Sequence, residues 1–163
     1  VGLLARIGFG SREIATPATP ASGSRLLYPK TSGWYEKDSA GVERLLTHAI
    51  EPYIFAVTGP LAAATGKSRV YLEGSYLVET VRASVNTSPA GSAITVDVNK
   101  NGTTIYTTQS ARPSIAAAAN SATGNSPAIA NFDAGDYMTV DIDTVGSSDP
   151  GADLTVVVRL RKI

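Results

Sequence analysis

The chain of 163 residues contains no cysteine. Disulfide scaffolds, cysteine-based zinc sites and thiol catalysis are therefore excluded. A single histidine, His48, makes a histidine-rich metal site impossible as well. Neither sign of charge is in excess: 14 basic residues balance 14 acidic ones. A nucleic-acid binder would carry a basic surplus, so none is expected as a partner. No apolar run reaches the ~20 residues of a membrane-spanning helix. The nearest, Tyr53 to Ala64, is broken by Gly59-Pro60, and no membrane insertion is expected. The first residues lack a charged segment followed by an apolar core, so no signal peptide is expected. The chain opens on Val1: either an initiator methionine has been removed or this is a processed fragment.

Gly, Ala, Ser, Thr and Asn dominate, and only 17% of residues are charged, which is the composition of a turn-rich all-β protein. Residues 1–15 are apolar without a clear period, and 16–23, TPATPASG, read as a linker or extended arm. Residues 24–46 hold three short β-rich runs separated by turn residues, a small meander too slight to bury a core alone. Residues 47–66, with Pro52 and Gly59-Pro60, read as a connector.

From Lys67 onward the pattern becomes regular. SRVYL is a short strand. Val81, Ala83 and Val85 alternate with Thr80, Arg82 and Ser84; Met138, Val140 and Ile142 with Tyr137, Thr139, Asp141 and Asp143; Leu154, Val156, Val158 and Leu160 with Thr155, Val157, Arg159 and Arg161. One face of each strand is apolar, so each covers one side of a shared core, and several such strands make an antiparallel two-sheet sandwich, jelly-roll-like in kind. The segment 116–131, AAAANSATGNSPAIAN, reads as a long loop.

The stretch Asp97-Val98-Asn99-Lys100-Asn101-Gly102 imitates the start of a calcium loop. The twelfth position, where a carboxylate must close such a loop, is Thr108, and the flanks are β-branched rather than helical. Asn101-Gly102 between two strand-like runs is instead a hairpin signal. A two-residue turn pairs Val98 with Ile105 and Val96 with Thr107 on one face, and Asp97 with Tyr106 and Asn99 with Thr104 on the other. Tyr106 is thus expected to point outward beside Asp97. No metal and no cofactor are expected.

Gly66-Lys67-Ser68 imitates the end of a phosphate-binding loop, but the glycine it requires is replaced by Leu61. Asp141 and Asp143 project from one strand face; paired carboxylates suit glycoside hydrolysis or a surface cation, yet an amphipathic strand needs polar outward residues in any case. Trp34 and Tyr35 read as packing residues of the meander. Candidate contacts to a carbohydrate or receptor are Asp97, Tyr106, Asp141 and Asp143. Leu26, Leu27, Trp34, Leu45 and Leu46 need burial that the meander cannot supply, which makes them the candidate subunit interface.

Two stretches together resemble a known family. ASGSRLLYPKTSGWYEKDSAGVERLL, residues 21–46, is similar to a short module of bacteriophage tail and fibre proteins. Residues 65–163, through TGKSRVYL, VRASVNTSPAGSAITVDVNKNGTTIYTT, FDAGDYMTVDIDTVGSS and PGADLTVVVRL, resemble the C-terminal β-sandwich of phage fibre and tail-tip proteins. The resemblance implies a non-enzymatic homotrimer on the virion surface, assembled in the bacterial cytoplasm. Residues 1–20 would be an arm docking on other virion proteins (tail, neck or capsid), 21–58 a trimerising stem, and 59–163 a head that touches a host-surface glycan. A capsid decoration or tail-structural role without a receptor, and a polysaccharide-degrading enzyme, are the alternatives.

Overall fold

The computed structural model describes residues 17–30, 33–46 and 50–163. Much of the expected arm over 1–20 lies outside the described residues, as does His48, and of Leu45 only the strand is described. The chain divides into two compact units, Val1–His48 and Ala49–Ile163. The boundary therefore falls at 48/49 and not at 58/59. Residues 50–58, expected to belong to a stem, are part of the larger unit.

In the first unit β1 (Arg25–Lys30), β2 (Gly33–Asp38) and β3 (Glu43–Leu45) form the expected antiparallel meander in the order β1-β2-β3. Tyr28 lies directly opposite Tyr35, their rings 6.1 Å apart. The Lys30 ammonium sits over both rings and donates to Glu43 Oε2 at 2.6 Å. Burial, and then the Glu43 carboxylate, push the Tyr28 hydroxyl up from its ordinary value. This face is thus closed by two aromatics and an ion pair in place of an aliphatic core.

The second unit begins with β4 (Ile50–Pro60) and β5 (Ala64–Tyr71), where a connector was expected. Pro52 and Gly59-Pro60 mislead because proline is tolerated on an edge strand, and β4 is the edge of its sheet. Then follow β6 (Tyr76–Thr87), β7 (Ile94–Lys100), β8 (Thr103–Thr104), β9 (Ser114–Ile115), β10 (Ser121–Thr123), β11 (Asn131–Phe132), β12 (Tyr137–Thr144) and β13 (Ala152–Lys162). The segment 116–131 is therefore not one continuous loop: β10 lies within it and pairs with β6.

One sheet runs β10-β6-β13-β4, with β11 also on β6; the other runs β5-β12-β7-β8, with β9 also on β7. Taking β8 with β9, and β10 with β11, as one strand each gives eight strands in two four-stranded sheets. Successive strands cross between the sheets except at the β7–β8 hairpin, and the last strand lies between the first and third. This is the strand order of a jelly roll, two Greek keys folded on one another. The expected all-β sandwich is the observed fold.

The alternating residues form its core: Val81, Ala83, Val85, Met138, Val140, Ile142, Leu154, Val156, Val158 and Leu160 are all buried, together with Ile94, Val96, Val98 and Phe132. In β6 the inward residues Val78 and Val81 are three apart, with Glu79 and Thr80 both exposed between them. A register shift against Arg159 and Leu160 of β13 absorbs the extra residue, a bulge that restores the inward phase.

The β7–β8 turn is a two-residue hairpin, with Lys100 opposite Thr103 and Asn99 opposite Thr104. Asn101 has φ 52° and Gly102 φ 84°, the pair of positive angles of a type I′ turn. A β-branched residue at Gly102 is strained by about 1–2 kcal/mol. Gly102→Val is expected to lower the melting temperature by several degrees. Excess EDTA should leave the parent's melting curve in place, and differential scanning calorimetry reads both.

Candidate functional site

The outward face of the β5-β12-β7 sheet carries most of the polar residues singled out above. Asp97 stands opposite Asp141 and Asn99 opposite Thr139, and residues directly opposite share a face. Arg112, just after the 3₁₀ turn Gln109–Ala111, reaches across to form an ion pair with Asp143 and lies 3.7 Å from Asp97 Oδ2. Asp97 Oδ1 accepts from Thr104 Oγ1 at 2.8 Å and from the Val98 amide at 2.7 Å. Asp141 accepts from the Gly66 amide at 2.6 Å on one oxygen and from Asn99 Nδ2 at 2.8 Å on the other.

The structure thus brings Asp97, Asp141 and Asp143 together, but as a closed network. Asp97 is only 5% exposed, not the open contact residue that its outward phase suggested. Burial pushes its carboxyl up; Thr104, Val98 and Arg112 oppose the shift, and Asp141 adds to it. A carboxyl this covered offers no oxygen to a glycan. Among the described residues no group of three or more His, Cys, Asp or Glu is arranged to hold a metal ion.

Tyr106 requires a correction. It is 1% exposed and belongs to the core, not to the outer face. The Ile105 amide still reaches Val98 O at 2.9 Å, but the Tyr106 amide is captured by Thr104 Oγ1 at 3.0 Å. A local side-chain acceptor has replaced the ladder partner, so the strand ends and Tyr106 turns inward. Burial, with a smaller contribution from Asp97, pushes its phenol up to about 12. Its hydroxyl packs beneath Gly124, where a Cβ would lie 2.7 Å away, and bonds to no group among the described residues.

At the hairpin end of the same sheet lies a second cluster, which no local motif announces. Asn101 Nδ2 donates to Asp136 Oδ1 at 2.6 Å, and its Oδ1 accepts from the Tyr137 amide at 2.9 Å. Lys100 Nζ lies 2.8 Å from Asp136 Oδ2, which also accepts from the Asp133 amide at 2.7 Å. Asn101 is therefore both a turn former and a clamp on the start of β12. Beside it Tyr137 lies directly opposite Tyr71 of β5, ring centroids 5.6 Å apart at 58°. The Arg69 guanidinium carbon sits 4.1 Å from the Tyr137 ring centroid, at the distance of a cation–π contact. Tyr71 is 56% exposed. Tyr71 and Tyr137 are legible in the sequence as members of two strands, but the β5–β12 register that joins them is not.

In the first unit Leu27 and Pro29 share a face of β1, Trp34 stands opposite Pro29, and the Leu46 amide donates to Trp34 O at 2.8 Å. Leu27, Trp34 and Leu46 are all substantially exposed. Ion pairs of Arg25 and Arg44 with Glu36, and of Arg44 with Asp38, flank this stripe. Leu26, by its phase in β1, lies on the opposite face with Tyr28. The five proposed interface residues therefore do not form one patch: Leu27, Trp34 and Leu46 do, Leu26 does not, and the Leu45 side chain is outside the described residues.

Two measurements test the buried groups. Removing an unbonded buried hydroxyl costs little, so Tyr106→Phe should change unfolding free energy by less than about 1 kcal/mol; a loss above about 2 kcal/mol in urea melts would mean that the hydroxyl is bonded. Asp136 is held from its ordinary 3.8 down to about 2, first by the Asp133 amide, then by Lys100 and Asn101. A carboxylate lowered on folding stabilises the fold above its unfolded pKa, and that contribution is lost as pH falls through the folded value. Melting temperature should therefore drop between about pH 4 and pH 2, and Asp136→Asn should flatten the drop. An unchanged slope in the variant would assign it to other carboxylates.

No family model matches the chain, and no curated protein or solved structure matches it either.

Proposed function

We propose that the chain is a non-enzymatic virion fibre protein of a bacteriophage, acting as a homotrimer whose β-sandwich head contacts a host-surface glycan. The observation that carries this reading is the pairing of a jelly-roll unit with a three-stranded unit that exposes a stripe of Leu27, Trp34 and Leu46. Three copies packed about an axis would bury that stripe, and cyclic symmetry is a common solution for a unit too small to hold its own core. Jelly rolls occur in viral capsid and lectin domains, though a fold by itself does not assign a function. The resemblance of residues 21–46 and 65–163 to phage fibre proteins supplies the virion setting, and the absence of cysteine suits assembly in a reducing cytoplasm. The N-terminal arm would dock on other virion proteins. Weak contacts of each head would be multiplied by the valency of the particle.

Multi-angle light scattering on the purified chain should give three times the 16.9 kDa protomer mass. Leu27→Glu with Trp34→Glu should shift it toward one. Particles lacking residues 49–163 should fail to adsorb to host cells. A parent that is monomeric at micromolar concentration would overturn the trimer, and normal adsorption by headless particles would make the protein a capsid decoration.

A further inference from the structure

We propose that Tyr71, Tyr137 and Arg69 form a binding subsite for an anionic pyranose, a sugar ring bearing a carboxylate. This deepens the glycan-attachment reading above and rests on it for its biological setting, but the geometry stands by itself. Among the described residues of the second unit, Tyr71 is the one exposed aromatic side chain. It sits on an edge strand, where access to its ring is not limited by a further strand. A pyranose has an apolar C–H face and a polar rim. The C–H face lies well against an aromatic ring, leaving the rim groups to be read by side chains beside it.

The side chain beside it is Arg69, two residues back on the same strand. Arg25, Arg44, Arg112 and Arg161 each meet a carboxylate. Arg69, like Arg82 and Arg159, meets none among the described residues, and it is Arg69 that lies over the Tyr137 ring. Stacking fixes the plane of a guanidinium while its N–H edge stays available, and that edge matches a carboxylate with two parallel hydrogen bonds. Two of the nearby carboxylates are already committed, while Glu73, two residues beyond Tyr71, is exposed and carries no ion pair among the described residues. Asp136 is tied to Lys100 and Asn101, and Asp141 to Gly66 and Asn99.

The subsite is also held in advance. The Tyr137 amide is fixed by Asn101 Oδ1, and its hydroxyl lies 3.4 Å from where a Cβ on Gly102 would stand, so the type I′ turn forms the floor behind the ring. A pair that served the sheet alone would be worth only a few tenths of a kcal/mol up to about 1 and would need no unpaired cation next to it.

The test uses the full chain and four probes: oligogalacturonate, its methyl ester, sialyllactose and lactose, followed by ligand-observed NMR at millimolar concentration. Binding is expected to at least one acidic probe and to be about tenfold weaker or absent for its neutral counterpart. Tyr71→Ala should weaken acidic binding at least about tenfold, Tyr71→Phe should retain it, and Arg69→Gln should abolish the acidic preference. Both positions are on the surface, and circular dichroism confirms that the variants fold. Binding of neither acidic probe, or binding unchanged in Tyr71→Ala, would overturn the proposal. If the subsite fails while headless particles still lose adsorption, the attachment reading survives with its contact elsewhere. If the subsite binds while headless particles adsorb normally, the inference holds and the attachment reading falls.

Discussion

β13 is gripped on both sides. It pairs with β4 along one edge and β6 along the other, and turns Leu154, Val156, Val158 and Leu160 into the core. The first sheet of the larger unit is built about this strand, yet it is the last strand of the unit. Until it arrives, β4 and β6 have no ladder between them and half of the core has no lid. Contacts between such distant segments impose a loop-closure cost that is met only late, which makes slow folding the natural expectation for this topology.

The polar half of the structure follows the same logic from the other sheet. β12 lies between β5 and β7, and its outward carboxylates, with Asp136 just before it, are the points where neighbouring loops are fastened. Asp141 holds the Gly66 bend of β5, Asp143 holds Arg112, and Asp136 holds the Asn101 turn. A sheet with apolar residues on one side and these fasteners on the other keeps loops from 64 to 136 in register without a disulfide. The rigidity of the tyrosine pair is a by-product of the last of these fasteners.

What could be read from the residues divides along the length scale of the interaction. Strict alternation in 138–142 and 154–160 named the inward side chains, because a period of two needs no partner to be seen. The Asn101-Gly102 turn was legible because its chemistry is contained in two residues. β4 was not, since its prolines break a pattern only if the strand is central, and edge position is a tertiary fact. Tyr106 was misplaced by one local event, the capture of its amide by Thr104, which stopped a ladder that alternation alone would have continued. The Tyr71–Tyr137 pair and the Arg112 bridge join segments separated by tens of residues, and only the register between strands reveals them.

The antiparallel pairing of the first and last strands of the larger unit has a mechanical meaning. Ile50 lies opposite Arg161, so the two ends of the unit leave from the same end of the sheet. Tension applied between them would open the β4–β13 ladder one rung at a time, like a zipper, and meet little resistance. Tension between the Ile50 end and the far loops around Pro60 and Ala152 would instead load the whole ladder in shear, with its hydrogen bonds sharing the force. The unit is therefore weak when pulled by its own two ends and strong when pulled along its strands, so the direction of a load matters more to it than the size of its core.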